Sequence, residues 1–275
     1  MNLNKLFFAV FITWFFLATA SFAEPNLEPV RAKLVVDPTE TSAGGLLLGV
    51  KFMIDPDWHV YWQNPGGIGL PTQVKFLMPE GGTVGPLLWP IPEQFQQSDG
   101  GVGYGYTKEA VIMSEITLPT VKEGVELGVD VRWIGCSKSL CVPGKYKFKM
   151  PVESIGHDEA SAVEDLTAWR NAVPRTLKAA GATFSVNQNS DPEKISIEMV
   201  INWKEPPGEI SLFPKIERHY FLSAPTVTSD DEQTVIGFNL EPASIKSKKL
   251  DAFGLVIVSD VAGKRLAYEE ELKLQ

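Results

Sequence analysis

A mainly β protein, in which two β-sandwich domains are joined by an amphipathic helical linker, is the architecture predicted by this 275-residue sequence. Three observations carry that expectation. Short apolar runs recur between turn signals along most of the chain. The sequence holds 20 prolines and 23 glycines, residues that end strands and build turns. Between residues 158 and 181 the apolar spacing changes from two to three and four, the period of a helix.

At the N-terminus, Lys5 precedes a mostly apolar stretch from Leu6 to Ala20, and Ser21-Phe22-Ala23 offers small residues before Glu24. This order reads as a signal peptide over residues 1–23, because an apolar core of about 12–15 residues is short for a membrane span of roughly 20. Export, and no stable membrane insertion after cleavage, are therefore expected. The first domain is assigned to residues 24–154. Its apolar runs are Leu46–Ile54, Val74–Met78, Ala110–Leu118, Val125–Ile134 and Lys145–Val152. In the last, Tyr146, Phe148 and Met150 alternate with Lys145, Lys147 and Lys149, which gives one buried and one wet face.

Residues 155–181 form the expected linker. Val163, Leu166, Trp169, Val173, Leu177 and Ala180 fall on one side of a helix, Ser161 and Glu164 suggest a capping box, Pro174 a kink and Gly181 a stop. A second, cysteine-free sandwich is expected over residues 182–275, with strands near Ile195–Trp203, Val235–Leu240, Phe253–Ser259 and Leu266–Leu274.

The net charge of −9 becomes about −10 without Lys5, and no long block of one sign occurs. Nucleic acid is a poor partner for such a chain. His59, His157 and His219 are far apart in sequence and form no HxH or HExxH pattern, so neither a metal nor any other cofactor is implied. His59, flanked by Trp58 and Val60 at a strand or its edge, reads as an ordinary sheet residue. Gly66, Gly67 and Gly69 between Pro65 and Pro71 make a loop without the helix or lysine of a phosphate site, and Trp58, Trp62 and Trp89 read first as packing residues.

The chemistry lies in the only two cysteines. Cys136 and Cys141 bound a four-residue turn between two strand patterns, so a hairpin sets them opposite one another at disulfide distance, and an oxidising compartment closes the bond. As a staple it would contribute only about 2 kcal/mol, because the loop it closes is short. Arg132, Lys138 and Lys145 lie near in sequence and would favour a thiolate.

These cysteines sit in Trp133-Ile-Gly-Cys136 and Cys141-Val-Pro143-Gly144, preceded by Trp58-His-Val-Tyr-Trp62-Gln-Asn-Pro65-Gly, Trp89-Pro90 and Tyr104-Gly-Tyr106. Together the motifs resemble the DsbD N-terminal-domain family, and most closely its ScsB-like branch, over roughly residues 27–153. The resemblance implies an immunoglobulin-like sandwich, and the second domain is expected to be immunoglobulin-like as well. It further implies a periplasmic protein whose exchanging pair is Cys136 and Cys141, beneath an aromatic cap loop for which Tyr104 and Tyr106 are the matching positions. Electrons would come from a membrane-embedded thiol reductase, here expected on a separate chain, and pass to soluble thioredoxin-like or disulfide isomerase-type proteins. The alternative is a non-enzymatic envelope binding or assembly module with a static disulfide.

Overall fold

The computed structural model describes residues 28–37, 45–97, 100–118, 124–155, 161–190, 194–216, 220–244 and 250–274. The expected signal peptide, His157 and His219 lie outside these residues. Among the described residues, no helix is long and apolar enough to cross a membrane.

The first half forms two facing sheets. One contains β1 (Val30–Asp37), β2 (Leu46–Ile54), β8 (Glu109–Thr117) and the short β5 (Thr83–Val84). The other runs in the order β10 (Cys141–Pro151), β9 (Glu126–Cys136), β3 (His59–Gly66), β7 (Val102–Tyr106) and β6 (Glu93–Gln96), with β4 (Gln73–Leu77) also on β9. Alternation along the strands decides which side chains meet. Leu34, Val50, Phe52 and Ile112 from the first sheet pack with Val60, Trp62, Val129 and Val131 from the second in one buried cluster. The expected alternation of Tyr146, Phe148 and Met150 with three lysines is present, the lysines being exposed.

The helical linker is corrected by the structure. Ser161–Val163 form a strand, β11, that pairs in parallel with β1, whose edge backbone groups need partners. Only Thr167–Asn171, α1, is helical, and a 3-10 turn follows at Leu177–Ala180. Pro174 accounts for the break, since a proline disfavours helical geometry in the residue before it and cannot donate a hydrogen bond. The helical spacing is still partly reflected in packing. Leu166, Trp169 and Val173 cover the outer face of the first sheet against Val35, Leu47, Val111 and Met113, whereas Leu177 enters the core of the second half. Glu164 forms no capping box; it bonds to Lys51, and this partner raises the Lys51 pKa. Gly181, with φ of +74°, ends the 3-10 turn in the left-handed conformation that glycine adopts without steric cost.

The second half adds β12 (Thr183–Ser190), β13 (Ile195–Asn202), β14 (Glu209–Lys215), β15 (Tyr220–Leu222), β16 (Thr226–Ser229), β17 (Gln233–Pro242), β18 (Ala252–Val261) and β19 (Lys264–Lys273). Strands β12, β13, β17, β15 and β16 form one sheet and β14, β18 and β19 another. The middle strand of the three-stranded sheet, β18, is buried on both faces. Leu255 and Ile257 of β18 face Met199, Ile201 and Ile236, while Val256 and Val258 of the same strand join the core of the first half. An unbroken apolar run, Leu255-Val-Ile-Val258, is what such a doubly covered strand requires. Phe213 of β14 sets its ring edge-on to Trp62 at 6.3 Å and to Tyr104 at 5.4 Å. The halves are thus packed together rather than held by a linker alone.

Replacing this shared ring tests the coupling. Phe213→Ala is expected to cost about 3–5 kcal/mol, the range for emptying a buried aromatic site, as measured by urea denaturation. The loss should appear in probes of both halves.

Candidate functional site

The hairpin of β9 and β10 builds the cysteine pair. Cys136 and Cys141 are directly opposed at its tip, with a Cα–Cα distance of 4.0 Å, and are joined as a disulfide. The turn between them is closed by Ser137, whose backbone N–H donates to Leu140 O at 2.8 Å and whose Oγ accepts from Leu140 N at 3.2 Å. Such local serine bonding stabilises a tight turn and leaves Lys138 and Ser139 at the tip. The two sulfur-bearing residues differ in access. Cys136 is 3% exposed, whereas Cys141 lies at the surface.

Strand parity places the disulfide on the outer face of its sheet. Along β9, Val129 and Val131 point into the core, so Cys136 points outward; along β3, Val60 and Trp62 point inward, so His59 and Tyr61 point outward. His59 is paired directly with Cys136 across β3 and β9. A groove of about 880 Å³ opens there, with both cysteines, His59, Tyr61, Trp58 and Phe95 in its wall.

The aromatic residues over this groove are not the tyrosines expected from sequence. Tyr104 packs against Phe213, and Tyr106 is buried with its hydroxyl donating to Pro90 O at 2.9 Å. Burial raises the pKa of both, most strongly that of Tyr106. Both occupy the inward positions of β7, so the outward positions facing the groove side are Gly103 and Gly105. Phe95 fills that space from β6, where it pairs with Gly103. Its ring centroid is 4.1 Å from that of His59 and 6.0 Å from that of Tyr61. The sequence did contain a signal for Phe95: an isolated aromatic in Glu93-Gln-Phe-Gln96 opposite alternate glycines.

The neighbouring loop is held by side-chain bonds. Gln97, buried, donates from Nε2 to Ile68 O at 2.6 Å and accepts from Ile68 N–H at Oε1 at 3.0 Å. Thr72 donates to Tyr61 O at 2.6 Å. Gly69, at φ +112°, lies against the Tyr61 ring, where a Cβ would come within 2.4 Å of Cζ. This anchoring leaves Ile68 and Leu70 exposed beside the groove, and Leu140 is exposed at the hairpin tip. Of the cations near the cysteines in sequence, Lys138 lines the groove, whereas Arg132 pairs with Asp130. Trp58 lines the groove; Trp62 and Trp89 are core residues.

Burial lowers the His59 pKa below its ordinary value, so the imidazole is neutral at neutral pH. Because the folded-state value is the lower one, the unfolded chain binds this proton first on acidification. His59 is therefore expected to remove stability as pH falls below about 6.5, a loss that His59→Phe should abolish in denaturation curves at pH 7 and pH 5. Gly103→Ala should displace Phe95, because its Cβ would arrive 2.4 Å from Phe95 Cε2. The expected outcome is faster reduction of the disulfide by a small dithiol, followed by alkylation and mass measurement.

Residues 26–153 match the family described as "Thiol:disulfide interchange protein DsbD, N-terminal". Among solved structures, the N-terminal periplasmic domain of ScsB from Proteus mirabilis aligns with 92% of this chain and 96% of its own, at 16% identity and a TM-score of 0.64. The reduced DsbD N-terminal domain from Neisseria meningitidis aligns with 47% of this chain and 90% of its own, at 14% identity and a TM-score of 0.33. No curated protein matches. The segment that builds the groove, residues 26–153, is thus similar in sequence to the DsbD N-terminal family, within a chain that shares the fold of the ScsB domain.

Proposed function

We propose that the protein is a thiol:disulfide interchange protein of the periplasm, exported by residues 1–23. In this reading it relays electrons from a membrane-embedded thiol reductase to soluble thioredoxin-like or disulfide isomerase-type proteins. The observation that carries the proposal is the pairing of an exposed Cys141 with a buried Cys136 in the wall of an open groove. The family match of residues 26–153 and the ScsB fold support it.

Thiol–disulfide exchange requires a thiolate to reach a sulfur along the sulfur–sulfur axis, so access decides which cysteine meets the partner. In the reduced protein, the Cys141 thiolate attacks a partner disulfide, forming a mixed disulfide and releasing one partner thiolate. Cys136 then attacks the Cys141 sulfur, the mixed bond breaks, and the second partner thiolate leaves. Two electrons have moved to the partner and the Cys136–Cys141 bond has closed. A reductase dithiol attacking Cys141 reverses the sequence.

Phe95 is the cap in this scheme, lying with Tyr61 and His59 over the groove until a partner docks. Exposed Ile68, Leu70 and Leu140 supply apolar contact area for that docking. Residues 24–154 are the redox module, and residues 182–275 brace the cap hairpin from behind, where Gln94 Nε2 donates to Leu212 O at 3.1 Å.

The reduction potential of the purified protein in defined thiol buffers is the direct test. A value between about −180 and −270 mV is expected, and a value below about −300 mV would mark a static staple and overturn the relay. Cys136→Ser is expected to trap partners as mixed disulfides through Cys141, whereas Cys141→Ser should trap few or none, as read on non-reducing gels.

A further inference from the structure

The groove contains a buried, unpaired polar atom that the exchange scheme has not used. His59 Nε2 is buried and has no hydrogen-bond partner, although the ring stands on the strand position directly opposite Cys136. Side chains at directly opposed positions of an antiparallel pair share a face, with Cβ atoms about 4.5–5.5 Å apart. Phe95 and Tyr61 hold the ring in place, with centroids at 4.1 Å and 5.0 Å. A buried polar group without a partner is costly, and such exceptions call for an explanation. In the disulfide form Cys136 has no proton to donate; reduction places an S–H beside the imidazole.

We infer that His59 is the base that takes the Cys136 thiol proton when Cys136 attacks the mixed disulfide at Cys141. The inference rests on the exchange reading above and adds to it the proton-handling residue of the resolving step. With Nδ1 protonated, Nε2 presents a lone pair that no other described residue uses. As the Cys136–Cys141 bond forms and the bond from Cys141 to the partner breaks, the proton passes from Cys136 Sγ to Nε2 and then to the departing partner thiolate. The step consumes no other reactant, and the two electrons of the breaking bond leave with the partner sulfur.

The surroundings suit a base. Burial keeps the imidazole neutral, and its ring neighbours are Phe95 and Tyr61. The charged side chains in the groove wall are Asp57 from the β2–β3 turn, Lys108 from the β7–β8 turn and Lys138 from the cysteine turn, all exposed. The two lysines disfavour imidazolium and favour thiolate, which drives the proton onward once the bond has formed, while Asp57 acts in the opposite sense.

Reaction of the reduced full-length protein with excess 5,5′-dithiobis(2-nitrobenzoate) separates the two steps. The first thionitrobenzoate is released when Cys141 attacks, the second when Cys136 resolves. His59→Gln and His59→Phe are both expected to slow the second release about 100-fold at pH 7, the ordinary contribution of a positioned base, with the first release unchanged. In the parent protein the second rate should rise with pH and level off below about pH 6.5, whereas in the variants it should rise only toward the thiol range near 8.5. Unchanged second-phase rates and inflections in both variants would overturn the assignment, as would equal slowing of both phases. If the reduced parent protein releases no thionitrobenzoate at all, the exchange reading fails with it.

Discussion

Strand β18, in the middle of the sheet it forms with β14 and β19, is covered on both faces, and the placement of the site depends on that constraint. Strand β18 sends Leu255 and Ile257 into one core and Val256 and Val258 into the other. Exposing either face would leave a contiguous apolar surface, so the two halves are energetically joined along this sheet. Phe213, Leu212 and Pro214 then form the backing against which the β6–β7 hairpin rests. Tyr104 packs on Phe213, Gln94 bonds to Leu212 O, and Asn64 donates to Pro214 O at 2.6 Å. The hairpin that carries Phe95 is therefore held from the side opposite the disulfide.

From that arrangement the site follows by strand alternation. One face of the β9–β3–β7–β6 sheet is spent on the core, with Val131, Trp62, Tyr106 and Tyr104 turned inward. The other face carries Cys136, His59, Tyr61 and Phe95 in adjoining strands, and Gly103 in β7 makes room for the phenylalanine. The result is a disulfide with one covered and one accessible residue, set in an aromatic wall. Two cysteines six positions apart inclusive become chemically unequal because their neighbouring strands differ: β3 covers Cys136, while Cys141 lies on β10 at the sheet's edge.

Much of this was legible beforehand, for identifiable reasons. Strands such as Leu46–Ile54 and the β9–β10 hairpin were readable because period-two alternation and a short turn are local properties of sequence. The cysteine pairing followed from the same hairpin. The linker departs from its helical pattern because, although Leu166, Trp169 and Val173 do share a face, the edge of β1 recruits Ser161–Val163 and Pro174 ends the helix. Tyr104 and Tyr106 were chosen by their aromatic character and their place in a motif. The parity of β7, which neither property reveals, turns them inward, and the aromatic ring in the groove wall comes from Phe95 instead.

By itself, then, the sequence determined the mainly β composition, the position of the hairpin and the pairing of Cys136 with Cys141, since each rests on spacing between near neighbours. Only the tertiary structure decided that the halves share a core, that Cys136 is covered and Cys141 accessible, and that His59 stands opposite Cys136. Those facts depend on which strands become neighbours across gaps of more than 70 residues, as with His59 and Cys136. Local propensity and periodicity carry no information about such pairings; they are settled by the burial of both faces of a sheet at once.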